Sequence, residues 1–212
     1  MRPLLICLTA ALAACAPDYQ PDVPESAAQP AAAKAAGPTA TAVFAGGCFW
    51  CTEADFEKVP GVTGAVSGYT GGTTANPTYK QVSAGGTGHY EAVHITYDPA
   101  RVSYEQLVDY YFRTVDPSDP GGQFCDRGES YRTAIFALDE AQRKAAEAEK
   151  AEVERALKRR IATPVLPASV FHPAEEYHQD YYKKNKLKYG FYRSRCGRDE
   201  RLKQVWAAAA AA

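Results

Sequence analysis

Apolar and polar positions change period along the chain, and those changes outline its elements. The run Ala42-Val43-Phe44-Ala45 is short and continuous and reads as a buried strand. From Phe49 the period becomes helical, with Phe49, Thr52, Phe56 and Val59 recurring until Pro60-Gly61 makes a turn. Val62 to Tyr69 reads as a second strand closed by Gly71-Gly72, and Thr73 to Thr87 as a loop carrying Asn76-Pro77 and Gly85-Gly86. His89 to Tyr97 alternates strictly, as a strand does, until Asp98-Pro99 stops it. Ser103 and Gln106 form a capping-box pattern ahead of a helical stripe of Leu107, Val108, Tyr111 and Phe112. Asp116 to Ser130 reads as a long loop and Tyr131 to Leu138 as a strand. Asp139 to Ile161 reads as a solvated outer helix, with Glu140–Lys144 and Glu154–Lys158 as favourable pairs. Pro164 to Phe171 reads as a last strand and Ala174 to Lys184 as a short aromatic-rich helix; Lys186 to Trp206 carries little pattern and reads as a wrapping tail. Strands interleaved with helices in this order predict an α+β two-layer sandwich with a ferredoxin-like split β-α-β core.

The ends of the chain follow other rules. Residues 1–14 hold Arg2 and an apolar stretch from Leu4 to Ala14, too short to span a bilayer and typical of a secretory signal. Leu12-Ala13-Ala14-Cys15 resembles the lipobox of bacterial lipoproteins, which implies cleavage before Cys15 and lipidation of its sulfur. Residues 15–40, rich in Ala and Pro, read as a flexible tether. Residues 41–206 then form one domain, followed by an alanine tail at 207–212. This predicts an exported protein in the cell envelope or periplasm, anchored to the membrane by lipid. A formal net charge of −1 and the absence of a basic patch argue against nucleic-acid binding. Of six cysteines, Cys7 lies in the leader and Cys15 at its end, leaving Cys48, Cys51, Cys125 and Cys196. The single methionine is Met1, so the mature chain offers no methionine to oxidants.

Three places carry candidate chemistry. In Gly46-Gly47-Cys48-Phe49-Trp50-Cys51 the glycines permit a sharp turn, which leaves Cys48 at the end of a strand and the mouth of a helix. Unpaired amides and the helix dipole favour an anion there, and for a cysteine that anion is the nucleophilic thiolate. The alternative is a small buried hydrophobe, the commonest fate of a free cysteine. On the strand at 89–97, Glu91 shares its face with Val93, Ile95 and Tyr97; burial there raises a carboxyl's pKa and keeps it a proton donor. The alternative is a strand-end carboxylate that reaches water. The loop Gly121 to Tyr131 is polar and glycine-rich, either a functional loop on a rigid scaffold or a turn capped by Asp126.

Together these segments resemble one family. Gly47-Cys48-Phe49-Trp50, Gly68-Tyr69-Thr70-Gly71-Gly72, Asn76-Pro77-Thr78-Tyr79, Gly88-His89-Tyr90-Glu91-Ala92-Val93, Asp126 to Arg132 and Glu175-Glu176-Tyr177-His178-Gln179 are similar to the motifs of the A-type peptide methionine sulfoxide reductases, in their order, from about Val43 to Tyr182. The resemblance implies reduction of the S epimer of methionine sulfoxide through a cysteine sulfenic acid and then a disulfide. It implies that Cys48 is the nucleophile, Glu91 the acid, and Tyr79 and Tyr131 the hydroxyls that hold the sulfoxide oxygen. Phe49 and Trp50 would receive the substrate methyl and Asp126 would help fix the substrate. No bound cofactor and no metal are implied. The partners would be oxidised proteins or peptides and an external thiol reductant of the thioredoxin type, or dithiothreitol in its place. The sequence carries no signal of oligomeric state, and a monomer is the default expectation. His178 reads as a buried, hydrogen-bonded histidine as readily as a catalytic one, and His89, His94 and His172 read as structural.

The resolving thiol is where this chain departs from the resemblance. In place of a glycine-rich tail it carries Arg193-Ser194-Arg195-Cys196-Gly197, and Cys196 is the first choice, able to swing in. Cys51 is the rival, because Cys48-x-x-Cys51 brackets the first helical turn. Cys125 replaces the usual asparagine beside Asp126 and is expected near the site without a redox role. Two readings compete: a thiol–disulfide oxidoreductase on Cys48-x-x-Cys51, which leaves the glutamate and tyrosines unused, and a structural zinc site on Cys48, Cys51, Cys125 and Cys196, for which only half the spacing pattern is present. A cysteine hydrolase ranks last.

Overall fold

The computed structural model describes residues 37–210, so the leader, Cys15 and most of the tether lie outside the described residues. The chain enters on β1 (Ala40–Gly46), runs through α1 (Phe49–Phe56), and returns on β2 (Val62–Thr70). A short helix α2 (Tyr79–Ala84), strand β3 (Tyr90–Tyr97) and helix α3 (Tyr104–Thr114) follow. The two-residue strands β4 (Gly122–Gln123) and β5 (Asp126–Arg127) form a small hairpin ahead of β6 (Thr133–Ala137). Then come α4 (Glu140–Leu157), β7 (Val165–Pro167), β8 (His172–Pro173), α5 (Tyr181–Lys184), α6 (Lys186–Cys196) and α7 (Arg198–Ala210).

The main sheet has the order β7-β6-β1-β3-β2-β8. β1 pairs antiparallel with both β3 and β6, and β3 antiparallel with β2; only β6 and β7 run parallel. The inner four strands, with α1 and α3 as their crossovers, make the predicted ferredoxin-like split β-α-β core. Alternation along β1 divides the core as period two requires: Ala42 and Phe44 join the larger cluster with Phe56, Tyr111 and Phe112, whereas Val43 and Ala45 join Tyr90, Ala92 and Phe136 on the opposite face. Phe44 lies between Phe56 and Tyr111, each ring 5.0 Å away and stacked. Truncating a side chain so enclosed costs about 3–5 kcal/mol.

The helix boundaries follow local chemistry. Ser103 accepts from the Gln106 amide while Gln106 reaches back to the Ser103 amide, the capping box read from the sequence. Asp139 caps α4, which ends at Lys158 in the left-handed region. Several expectations need correction. The stretch 73–87 contains α2, started by a Thr78/Gln81 capping box. The predicted strand at 164–171 is shorter, and β8 lies beyond it. The tail at 186–206 is not an irregular wrap but helices α6 and α7, and the alanines at 207–210 continue α7. Buried Arg198 secures this end: its Nη2 donates to the carbonyls of Gly46 (3.2 Å) and Thr114 (2.8 Å), tying α7 to the turn between β1 and α1.

Candidate active site

Gly47 turns the chain from β1 into α1 with φ +81°, and a Cβ there would stand 2.5 Å from Gln123 Cβ. Only glycine satisfies both the dihedral and the approach of β4. The turn leaves Cys48 as the N-cap of α1, its carbonyl accepting from the amides of Cys51 and Thr52. Cys48 and Cys51 are the free thiols among the described residues, both buried and packed with Ala54 and Tyr189.

The amide of Phe49 donates to Glu91 Oε2 at 3.0 Å. A carboxyl from β3 thus occupies the positive mouth of α1, beside the sulfur. Burial pushes Glu91 up to about 8, against the pull of the Phe49 amide, with Asp126 and Cys51 adding to the rise. Glu91 is therefore protonated at neutral pH, while only 2% exposed. The thiolate expected at Cys48 is not the resting form. Burial raises that thiol, hydrogen bonding to Cys51 raises it further, and the Cys51 and Glu91 charges act in the same direction. Cys51 moves the opposite way, lowered first by its hydrogen bond from Cys48 and also by the guanidinium groups of Arg198 and Arg193. Arg193 is itself held by Asp55 and the Tyr189 hydroxyl, so fixed positive charge lies behind the Cys51 sulfur.

Tyr79 opens α2, and its amide donates to Glu175 Oε1 at 2.8 Å, while the Tyr69 hydroxyl donates to the other oxygen of Glu175 at 2.9 Å. Tyr131 ends the turn before β6. The Tyr79 and Tyr131 hydroxyls lie close enough to Glu91 and to each other to feel one another's charge. Burial first, then the Glu91 carboxyl, raises both phenols; Tyr79 raises Tyr131 further while Tyr131 pulls Tyr79 back, and both remain O–H donors. Phe49 is buried against Tyr69, Tyr79 and His178, with centroid separations of 5.8, 6.5 and 5.0 Å. Trp50 is half-buried: one face stacks on Tyr181 at 3.8 Å and its Nε1 donates to His178 Nδ1 at 3.0 Å. Burial keeps His178 neutral, its pKa lowered to about 4 against the pull of Glu175, and with the Trp50 bond this is a buried, hydrogen-bonded histidine. Gln179 pins the same segment to β2 through both the amide and the carbonyl of Ser67.

Asp126 sits on β5 with its carboxyl raised by burial, and its Oδ2 accepts from the Tyr192 hydroxyl. Tyr192, on α6, is a site residue the sequence reading missed. Its signal was present: Tyr189, Tyr192 and Cys196 recur at i, i+3 and i+7, a helical stripe. The structure brings Cys48, Cys51, Phe49, Trp50, Glu91, Tyr79, Tyr131 and Asp126 together. Cys196 is the exception among the expected thiols, because it is joined to Cys125 in a disulfide. In this structure Cys196 is not a free thiol able to swing in, and the thiol next to Cys48 is Cys51. The same disulfide separates the cysteines into two pairs and removes the four-thiolate zinc arrangement.

Comparison with known proteins agrees with this geometry. The family model described as peptide methionine sulfoxide reductase matches residues 40–210. A peptide methionine sulfoxide reductase MsrA 2 from Caulobacter vibrioides is 58% identical over 177 residues, covering 83% of this chain and 90% of that protein. The crystal structure of Mxr1 from Saccharomyces cerevisiae in reduced form superposes with a TM-score of 0.67 at 32% identity, over 70% of this chain and 86% of that one. Mxr1 in complex with Trx2 gives a TM-score of 0.50 at 25% identity, over 68% and 84% of the two chains. A match over nearly the whole described chain, joined to a buried acid against the amide that follows a buried cysteine, places this protein in the peptide methionine sulfoxide reductase family, among its MsrA-type members.

Proposed function

We propose that Cys48, Glu91, Tyr79 and Tyr131 carry the family's reaction here, the reduction of the S epimer of methionine sulfoxide to methionine with a thioredoxin-type reductant. The observation that carries this reading is the bond from Phe49 N–H to Glu91, which fixes a protonated acid beside the Cys48 sulfur. The Cys48 sulfur attacks the sulfoxide sulfur. As negative charge grows on the sulfoxide oxygen, the Tyr79 and Tyr131 hydroxyls stabilise it and Glu91 gives it a proton. The oxygen passes to Cys48 as a sulfenic acid, the proton lost from the Cys48 thiol returns to Glu91, and methionine leaves with two more electrons than it brought. Phe49 and Trp50 form the apolar wall for the methyl group, and Asp126 helps orient the substrate.

Cys51 resolves the sulfenic acid in this reading. Its sulfur attacks Cys48 Sγ, water leaves, and a Cys48–Cys51 disulfide forms. Fixed positive charge at Arg198 and Arg193 favours the attacking thiolate. Two electrons from an external dithiol then restore both thiols. The site closes within one chain, which supports action as a monomer. Export as a lipid-anchored envelope protein rests on the apolar leader and the Leu12-Ala13-Ala14-Cys15 sequence. Membrane fractionation of the natural protein and of Cys15→Ser tests it, a soluble wild type arguing against the anchor.

The function is tested by offering each epimer of a peptide methionine sulfoxide separately, with dithiothreitol, to wild type and Cys48→Ser. Turnover of the S epimer alone, lost in the variant, is expected. A folded wild type that reduces neither epimer would remove the assignment.

A further inference from the structure

One side chain at the site is explained by no step above. Tyr192 comes from α6; its hydroxyl donates to Asp126 Oδ2, and its side chain packs on the cluster that holds Cys48. Its ring meets Trp50 edge-on, with centroids 5.8 Å apart and planes at 82°, and it packs on the cluster formed by Cys48, Cys51, Ala54 and Tyr189. One side chain thus touches both the cluster around the Cys48 sulfur and the Asp126 carboxyl.

What keeps Tyr192 there is covalent. Cys196 lies four residues further along α6, one helical turn on the same side. Cys125 immediately precedes Asp126. The Cys125–Cys196 bond therefore staples the helix that carries Tyr192 to the strand that carries Asp126, with Cys196 Sγ 3.8 Å from Asp126 Oδ2 and the Cys125 amide directed at Cys196 Sγ at 3.1 Å. The next residues continue the fastening, since Arg198 is buried against Gly46 and Thr114. Without the staple, the Tyr192–Asp126 contact would depend on the packing of an end of α6 that reaches toward solvent.

We propose that Tyr192 is a positioning residue that holds the Cys48 sulfur and the Asp126 carboxyl in register, and that the Cys125–Cys196 disulfide fastens Tyr192 in that position. The hydroxyl has one proton and two partners. At rest it donates to Asp126, and its oxygen can take the Cys48 S–H. When Cys48 becomes an anion, the same hydroxyl turns its proton to the sulfur. Tyr192 thereby stabilises the nucleophile without placing a permanent cation in a pocket built for a methyl group. The disulfide here is a clamp and takes no electrons from the reaction.

The proposal rests on Cys48 as the reactive sulfur, so the test separates contact from catalysis. In the full chain carrying Cys51→Ser, the rate of Cys48 alkylation by iodoacetamide is followed against pH by peptide mass spectrometry. Single-turnover formation of methionine from an S-sulfoxide peptide is measured alongside. Tyr192→Phe keeps the ring and removes the hydroxyl. Its alkylation profile is expected to move to higher pH, and methionine formation to slow about 10- to 100-fold, the range for a hydrogen bond to a charged group. Cys125→Ser combined with Cys196→Ser should shift both readouts in the same direction by less; made instead in a chain that keeps Cys51, the pair should lower steady turnover equally with dithiothreitol or a thioredoxin as reductant. Near-ultraviolet circular dichroism of each variant checks packing. An unchanged alkylation profile in folded Tyr192→Phe would overturn the positioning role. A shifted Tyr192→Phe beside an unshifted double-serine variant would overturn the clamp, as would a double-serine defect confined to the thioredoxin assay. A shifted profile in a protein that reduces no sulfoxide would leave the contact standing and remove the proposed function instead.

Discussion

Two cysteine pairs belong to one small site, and their surroundings differ. Cys48 and Cys51 are buried, free and one helical turn apart at the mouth of α1, with a protonated Glu91 on one side and two guanidinium groups behind. Cys125 and Cys196 are 71 residues apart in sequence, more open to solvent, and already joined. The first pair has what electron transfer to a sulfoxide requires: a nucleophile, an acid and a partner thiol within reach. The second pair has a connection between two segments and no acid of its own beyond Asp126, which is occupied by Tyr192. Spacing in the sequence says little about which pair does which; the proposed division of roles rests on burial and neighbouring charge.

The comparison breaks most readily at the acid. Glu91→Gln keeps the size and an acceptor for the Phe49 amide but loses the proton, so turnover should fall about 10²- to 10⁴-fold while the fold is retained. The wild type should lose activity as pH rises through about 8, where Glu91 ionises. The sign for stability is the same: the folded carboxyl holds its proton above its ordinary value of 4.5, so the contribution of Glu91 is fully present below that value and is lost as pH climbs to about 8. Denaturation of wild type and Glu91→Gln across that range should show the slope in the wild type only; parallel curves would contradict a buried neutral acid.

The next effect is on recycling. Cys51→Ser should make one methionine per enzyme, accumulate a sulfenic acid that dimedone traps, and stall when thioredoxin is the reductant. Sustained thioredoxin-supported turnover would move the resolving role away from Cys51. A smaller chemical effect and a larger structural one are expected for the other pair. Removing the Cys125–Cys196 bond should lower unfolding free energy by about 2–4 kcal/mol, read from denaturant curves. A complete loss of methionine formation in that variant, with the fold intact, would make the second pair part of the chemistry. The smallest effect belongs to His178, whose pKa is lowered to about 4. Its contribution is present above the ordinary histidine range and is lost as pH falls toward 4, when protonation of Nδ1 takes away the acceptor of the Trp50 indole N–H. Trp50 fluorescence should change over that window and stay flat in His178→Phe.

The difference between the pairs also marks where the sequence was readable. β1, α1 and β3 stand close to where period and glycine placed them, because their side chains alternate between water and core. Glu91 was legible for that reason: it shares a strand face with Val93 and Ile95, and that face is covered by helices. α6 and α7 were not legible. Their inward stripe is made mostly of tyrosines, a cysteine and a buried arginine, with Val205 the buried aliphatic residue, and Gly190 lowers helix propensity in the middle of α6. α2 was hidden between Asn76-Pro77 and Gly85-Gly86, although Thr78 and Gln81 carried its capping box. The Cys125–Cys196 bond had no local signal, since its partners meet only after the whole domain has closed.

The most direct measurement is a disulfide map after a single turnover. Enzyme with Cys48 and Cys51 reduced and Cys125–Cys196 intact is given one equivalent of an S-sulfoxide peptide, quenched with an alkylating agent, digested and analysed by mass spectrometry. The account predicts one new bond, Cys48–Cys51, with Cys125–Cys196 unchanged. A bond from Cys48 to Cys196 or Cys125 would contradict it, and would make the second pair the route by which electrons leave the site.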